Sequence, residues 1–202
     1  MRRRSRRSRR GRDLSLSYTH REKRFRFSML SDILSWIFGI IAAVFLAFVI
    51  VYMFGTRTAV AGSSMEPNLS NGQEVLINKM AFQFTAPKRG DVIAFRPNGN
   101  EKAHISVKRV IGVPGDSIRI VAGRVFLNGV EFEDDWAADT RDAGVAAEEV
   151  VLGADEYFVM GDSRQNSEDS RSANIGNVSR GMIEGKVWYH LKSDKDGNGK
   201  VK

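Results

Sequence analysis

The sequence predicts a mainly β domain carried on a single N-terminal membrane-spanning helix. Two observations predict it. Residues 33–54 read ILSWIFGIIAAVFLAFVIVYMF, an uncharged run of the length that crosses a bilayer. After Gly55 the chain breaks into short β-like runs punctuated by Gly, Pro, Asn and Asp, and no amphipathic helix of convincing length interrupts them.

The basic character of the chain is confined to its start. Of the 202 residues, the first 32 carry twelve Arg or Lys against Asp13, Glu22 and Asp32, a net +9, and the remaining 19 basic and 21 acidic residues leave the rest at −2. The formal net charge of +7 is therefore no sign of a nucleic-acid-binding domain, and no nucleic acid is expected as a partner. Residues 1–32 are expected to form a disordered cytoplasmic leader drawn to anionic lipid headgroups. By the positive-inside rule, everything after Gly55 then lies on the far side of the cytoplasmic membrane. In 33–54 Ser35 is the only strongly polar residue, whereas a buried core helix keeps a polar stripe. A cleavable signal peptide would have a shorter apolar core, of about 7 to 15 residues.

A folded domain is expected over 55–192. Its strand-like runs are EVLINKM, DVIAFRP, HISVKRVIGV, DSIRIV, GRVFLNGVEF, EYFVM and KVWYH. Residues 123–155 combine the hairpin-like RVFLNGVEF with the acidic, Ala-rich EDDWAADTRDAGVAAEE, and are expected as a smaller inserted subdomain. Residues 193–202 read as a flexible polar tail. There Asp194, Asp196, Asn198 and Gly199 imitate the opening of a calcium loop, but the closing bidentate glutamate is missing, so no metal site is expected.

The chemistry is narrowed by what the composition lacks. Zero cysteines exclude disulfides, thiol nucleophiles and thiolate zinc sites. The three histidines are His20 in the leader, His104 and His190, and none sits in a metal-binding spacing. The stretch GSSMEPNLSNG, 62–72, offers two serines just beyond the membrane run. A serine hydroxyl needs a positioned base, and with histidine so scarce the base is sought among lysines in apolar company. Lys108 in HISVKRVIGVPGD is such a lysine. To act as a base near neutral pH it must be uncharged, which requires burial to lower its affinity for a proton by about 3 pH units, about 4 kcal/mol. Strand alternation alone argues the other way, placing Lys108 with Ser106 and Val110 on the face opposite Ile105 and Val107, where a lysine is solvated. The polar block GDSRQNSEDSR, 161–171, could orient a base, and an ordinary surface turn would look similar.

Four blocks, GSSMEPNL, RGDVIAF, VKRVIGVPGD and GDSRQNSEDSR, together with the membrane run, the basic leader and the trailing MIEGKVW, resemble the bacterial type I signal peptidases in order and spacing. The resemblance covers most of 33–189. It implies a largely antiparallel β catalytic domain with the core shared by signal peptidases and LexA-like regulators, and an enzyme that removes signal peptides from exported preproteins without a cofactor. By position it implies Ser64 rather than Ser63 as nucleophile and Lys108 as general base. It also implies Ser167 as a hydrogen-bond partner of the lysine, Asp169 and Arg171 as a supporting pair, and Asp162 and Arg164 as structural. Some relatives supply an oxyanion donor from a hydroxyl two residues before the nucleophile, where this chain has Gly62. Either Ser63 or another group takes its place, or the hole is weaker. Asn68 stands where the family usually has threonine.

The resemblance further implies small residues at the −1 and −3 positions of the substrate, and work beside the protein-export channel. Ten residues separate Phe54 from Ser64, at most about 35 Å of extended chain, so the serine lies near the membrane surface. Phe82 and Phe84 are candidates either for the lipid interface or for the core. Three rivals stand beside this reading: a conjugative-pilin maturation peptidase with the same dyad, a membrane-anchored binding module without turnover, and a LexA-like self-cleaving regulator. The last expects a soluble chain with a DNA-binding domain in front, against which the membrane run argues. The second expects loss of Ser64 or Lys108, and both are present.

Overall fold

The computed structural model describes residues 23–54, 56–133, 140, 142–191 and 197–201. Most of the leader and part of the expected flexible tail, including Asp194 and Asp196, lie outside the described residues.

Helix α1 runs Lys23–Phe54, beginning ten residues before the expected 33. No Gly or Pro breaks KRFRFSMLSD, so nothing local stops the helix from extending below the apolar segment. The stretch long and apolar enough to cross a membrane is Met29–Tyr52. Its large apolar side chains, Trp36 and Phe38 among them, are exposed all round, as a helix solvated by lipid requires.

The rest is β-rich. The strands are β1 Thr56–Ala59, β2 Glu74–Asn78, β3 Val92–Phe95, β4 Ser106–Gly112, β5 Ser117–Val121, β6 Arg124–Leu127, β7 Val130–Glu131, β8 Val150–Val151, β9 Glu156–Met160, β10 Val178–Ser179, β11 Ile183–His190 and β12 Gly199–Lys200. A four-residue helix, α2, Ala81–Phe84, follows β2. The larger sheet has the order β1-β2-β11-β3-β4-β9-β10, with β12 also on β11, and every pairing is antiparallel. The smaller sheet, β7-β6-β5-β8, is antiparallel too. Each of the strand-like runs falls on a strand, and Asn128 and Gly129, both at positive φ, make the β6–β7 hairpin turn.

The small sheet reaches ahead of residue 123. It includes β5 because Ile118 and Ile120 turn inward with Val125 and Leu127 onto Ile111, Phe158 and Met160 of β4 and β9. The acidic stretch, where described, is also tied down. Thr140 is buried and its N–H donates to Gly123 O at 2.8 Å, and Val145 N–H donates to Arg171 O at 2.9 Å. The tail differs likewise: β12 pairs Lys200 and Gly199 with Tyr189 and His190, and Val201 packs against the core. Phe82 and Phe84 part company, the first buried and the second 82% exposed.

Strand β4 departs most from alternation. From Val107 to Gly112 every residue is buried, including Lys108 at 6% and Arg109 at 0% exposure. With β3 on one side and β9 on the other, β4 lies inside the sheet, and core residues cover both faces. Phe158 of β9 sits in the joint between the two sheets. Phe158→Ala, in the middle of that joint, is expected to cost about 3 to 5 kcal/mol, measurable as a lowered thermal midpoint of the detergent-solubilised chain.

Candidate active site

Ser64 sits in the turn that follows β1. Gly62 opens this turn at φ +83°, a conformation that suits glycine, and its N–H donates to Asn71 Oδ1 at 2.9 Å. Met65 and Leu69, both fully buried, anchor the turn in the core, and Leu69 N–H donates to Met65 O. Ser64 is 8% exposed. Lys108 enters from β4, opposite Ile93 of β3, and its Nζ lies 2.6 Å from Ser64 Oγ. Ser63 makes no such contact, although it lines the same cleft of about 400 Å³ with Gly62, Ser106 and Asn166. His104 is exposed and His190 bonds Gln73 at 3.0 Å, and neither bonds Ser64 among the described residues.

Burial pushes the Lys108 amine below its ordinary value of 10.5; the Asp169 charge opposes this and the Arg171 charge assists it. Asp169 is itself buried, which alone would raise its carboxyl. The hydrogen bonds and charge of Arg171, the Gly161 N–H and the Ser167 hydroxyl outweigh that effect and hold it below the usual carboxylate range. Arg171 grips Asp169 bidentately, Nε to Oδ1 and Nη2 to Oδ2, both at 2.8 Å.

Ser167, expected to hydrogen-bond the lysine, donates instead to Asp169 Oδ2 at 2.7 Å. A charged acceptor two residues along the same turn is a stronger partner for its hydroxyl than an amine already engaged by Ser64. Gly161 donates to the same oxygen at 3.0 Å. A Cβ at Gly161 would lie 2.4 Å from Ser64 O and 2.2 Å from Ser167 Oγ, so only glycine lets the end of β9 approach the serine this closely. Ser163 N–H donates to Ser64 O at 3.0 Å, completing that junction.

Arg164 points inward, with Nε on Gly161 O at 3.1 Å and Nη1 on Thr140 Oγ1 at 3.3 Å. Burial, then the Arg171 charge, lower it to about 10. Asp162 accepts Arg109 Nε at 2.8 Å and Nη2 at 2.7 Å in a fully buried pair, and it also accepts Asn68 Nδ2 at 2.8 Å. Sequence reasoning missed Arg109. The signal was present: a second cation beside Lys108 in an apolar run also needs a buried counter-charge.

A buried serine held against a lysine of lowered basicity, on a mainly β scaffold, is an arrangement suited to a serine peptidase that uses lysine in place of histidine. Residues 33–191 match the family model of signal peptidase, peptidase S26. Signal peptidase I P of Bacillus subtilis subsp. natto is 35% identical over 150 residues, covering 70% of this chain and 80% of the relative. Probable signal peptidase I-2 of Synechocystis is 34% identical over 154 residues, covering 70% and 68%, and signal peptidase IB of Staphylococcus aureus is 29% identical over 181 residues, covering 81% and 91%. A solved signal peptidase I from Enterococcus faecalis gives a TM-score of 0.40 at 26% identity, covering 51% of this chain and 97% of that one. The chain belongs to the signal peptidase family, peptidase S26. It is a membrane-anchored type I signal peptidase, and its substrates are exported preproteins.

Because Arg109 and Asp162 form a fully buried, bidentate ion pair, Arg109→Met should cost about 3 to 5 kcal/mol by stranding the carboxylate. Adding Asp162→Leu should restore most of that loss, a contrast readable in thermal midpoints.

Proposed function

We propose that Ser64 is the nucleophile and Lys108 the general base of signal-peptide cleavage. The observation that carries this is the 2.6 Å contact between Lys108 Nζ and Ser64 Oγ, both groups buried. Neutral Lys108 accepts the Ser64 proton as Oγ attacks the scissile carbonyl, and Ser64 N–H donates to the oxyanion. Lys108 then passes the proton to the leaving amine, the C–N bond breaks, and the mature protein departs. Water, deprotonated by the same amine, hydrolyses the ester to release the signal peptide and regenerate the serine. Asp169, Arg171 and Ser167 position the loop that supports the pair.

In this reading 1–32 is cytoplasmic, α1 crosses the cytoplasmic membrane, and 55–192 works on the outer side beside lipid and the export channel, with the polar tail at 193–202. The basic excess of 1–32 supports that orientation. The cleft lined by Gly62, Ser63 and Ser106 favours small side chains next to the scissile bond.

The test is cleavage of a purified preprotein by the full chain in detergent. Ser64→Ala and Lys108→Ala should each lower kcat by more than about 10³-fold, while Ser63→Ala retains cleavage at the same bond. If Ser63→Ala is the inactive serine variant, the assignment is wrong. In the wild type kcat/KM should rise with pH as Lys108 loses its proton, with a midpoint below 10.5.

A stability readout checks the same amine. A depressed folded-state value means that the lysine destabilises the fold progressively as pH falls from the unfolded value towards the folded one, and the difference vanishes above the unfolded value. Lys108→Met should therefore melt higher than wild type near neutral pH and lose that advantage as pH approaches 10.5. An advantage independent of pH would mean that the Lys108 amine is not held below its ordinary value in the fold.

A further inference from the structure

A second cavity, about 820 Å³, shares no lining residue with the dyad cleft. One wall is apolar. Phe82 is buried there, and Phe84, 82% exposed, is the most exposed large apolar side chain outside α1 among the described residues. The other wall is cationic. Arg180 lies with its guanidinium carbon 5.4 Å from the centre of the Phe82 ring, and Lys88 stands at the rim; neither has a carboxylate partner among the described residues. Arg89, the third cation, is committed to Asp116 at 2.7 Å, and Asp155 is the sole acid of the lining.

Tyr157 closes the floor. The residue is buried overall while its hydroxyl stays accessible from the cavity, and no hydrogen bond among the described residues takes that hydroxyl up. Burial raises the phenol above its ordinary value of 10.0, so the hydroxyl remains a proton donor at neutral pH. A donor in the floor, two uncommitted cations at the wall and an exposed aromatic at the lip suit a ligand that is anionic at one end and apolar at the other.

We propose that this cavity binds the phosphate headgroup of an anionic membrane phospholipid, with Lys88, Arg180 and the Tyr157 hydroxyl on the phosphate oxygens and Phe84 against the acyl region. The occupant is a lipid rather than a free phosphate because Phe84 has no role in holding an inorganic anion. It is a lipid rather than an acidic peptide because the chain is membrane-anchored and aromatic–basic pairs are the side chains that settle at a bilayer interface. The inference rests on the reading that the peptidase domain works at the membrane surface.

The test uses the full chain in nanodiscs of phosphatidylcholine, with and without roughly a third phosphatidylglycerol, and reads backbone hydrogen exchange in the segment 81–89. Anionic lipid should slow exchange there on the order of tenfold. Lys88→Gln with Arg180→Gln should abolish the slowing, and Phe84→Ser should weaken it. Because the readout is local and the basic leader is unchanged, lipid bound by the leader does not contribute. Cleavage of a short soluble substrate should be the same in all variants, which separates failure of this site from failure of the peptidase reading. Equal exchange in the two discs, or slowing that survives the double substitution, overturns the proposal. So does equal protection by glycerol phosphate in phosphatidylcholine discs, or protection by an acidic peptide where phosphatidylglycerol gives none.

Discussion

Burial of Lys108 is the constraint on which the rest of the structure depends. A lysine amine is a base only when uncharged, and it stays uncharged only where water cannot solvate the ammonium. In the role proposed for Lys108, strand β4 meets that need by lying between β3 and β9, with apolar residues over both faces. A nearby carboxylate works against it, since the Asp169 charge favours the ammonium. The structure keeps Asp169 because that residue organises the loop, accepting from Gly161, Ser167 and Arg171. Arg171 offsets the charge at 2.8 Å, so the loop gains an anchor while the lysine feels the pair more than the lone anion.

Two ion pairs thus do different work on adjacent stretches of chain. Asp169 with Arg171 shapes the 161–171 loop from within. Asp162 with Arg109 ties the start of that loop to β4, and through Asn68 to the turn bearing Ser64. Ser64 is accordingly held from three sides: by the buried Met65 and Leu69 behind it, by Ser163 N–H on its carbonyl, and by Lys108 on its hydroxyl. Asn68 in place of threonine keeps a donor aimed at Asp162, so the turn remains linked.

Periodicity and punctuation made the main strands, the hairpin turn and the membrane run legible, because each carries its signal within a few residues. The short strands β1, β8, β10 and β12 carry none; two to four residues pair there only because a longer strand presents an open edge. The same limit explains the early start of the small sheet, since β5 belongs to it through contacts with distant β4 and β9. Lys108 shows the limit most sharply. Alternation describes a strand with one wet face, and β4 has none. The four motif blocks pointed to Lys108 where periodicity pointed it at solvent, yet they did not say where the Ser167 hydroxyl turns, because Asp169 and the lysine are both within the block's reach.

The small cleft at Ser64 also makes physical sense for an enzyme tethered to the membrane that carries its substrate. A soluble peptidase must draw affinity from extensive contact with its substrate, whereas two chains confined to one bilayer meet at a high effective concentration without any new contact. In the proposed reading, a cleft of about 400 Å³, walled by Gly62, Ser63 and Ser106, discriminates by excluding large side chains. Exclusion is sharp only when the walls do not yield. The turn that carries Ser64 meets that condition through its buried anchors and its links to β4 and β9, so the contacts that keep Lys108 dry also keep the cleft narrow.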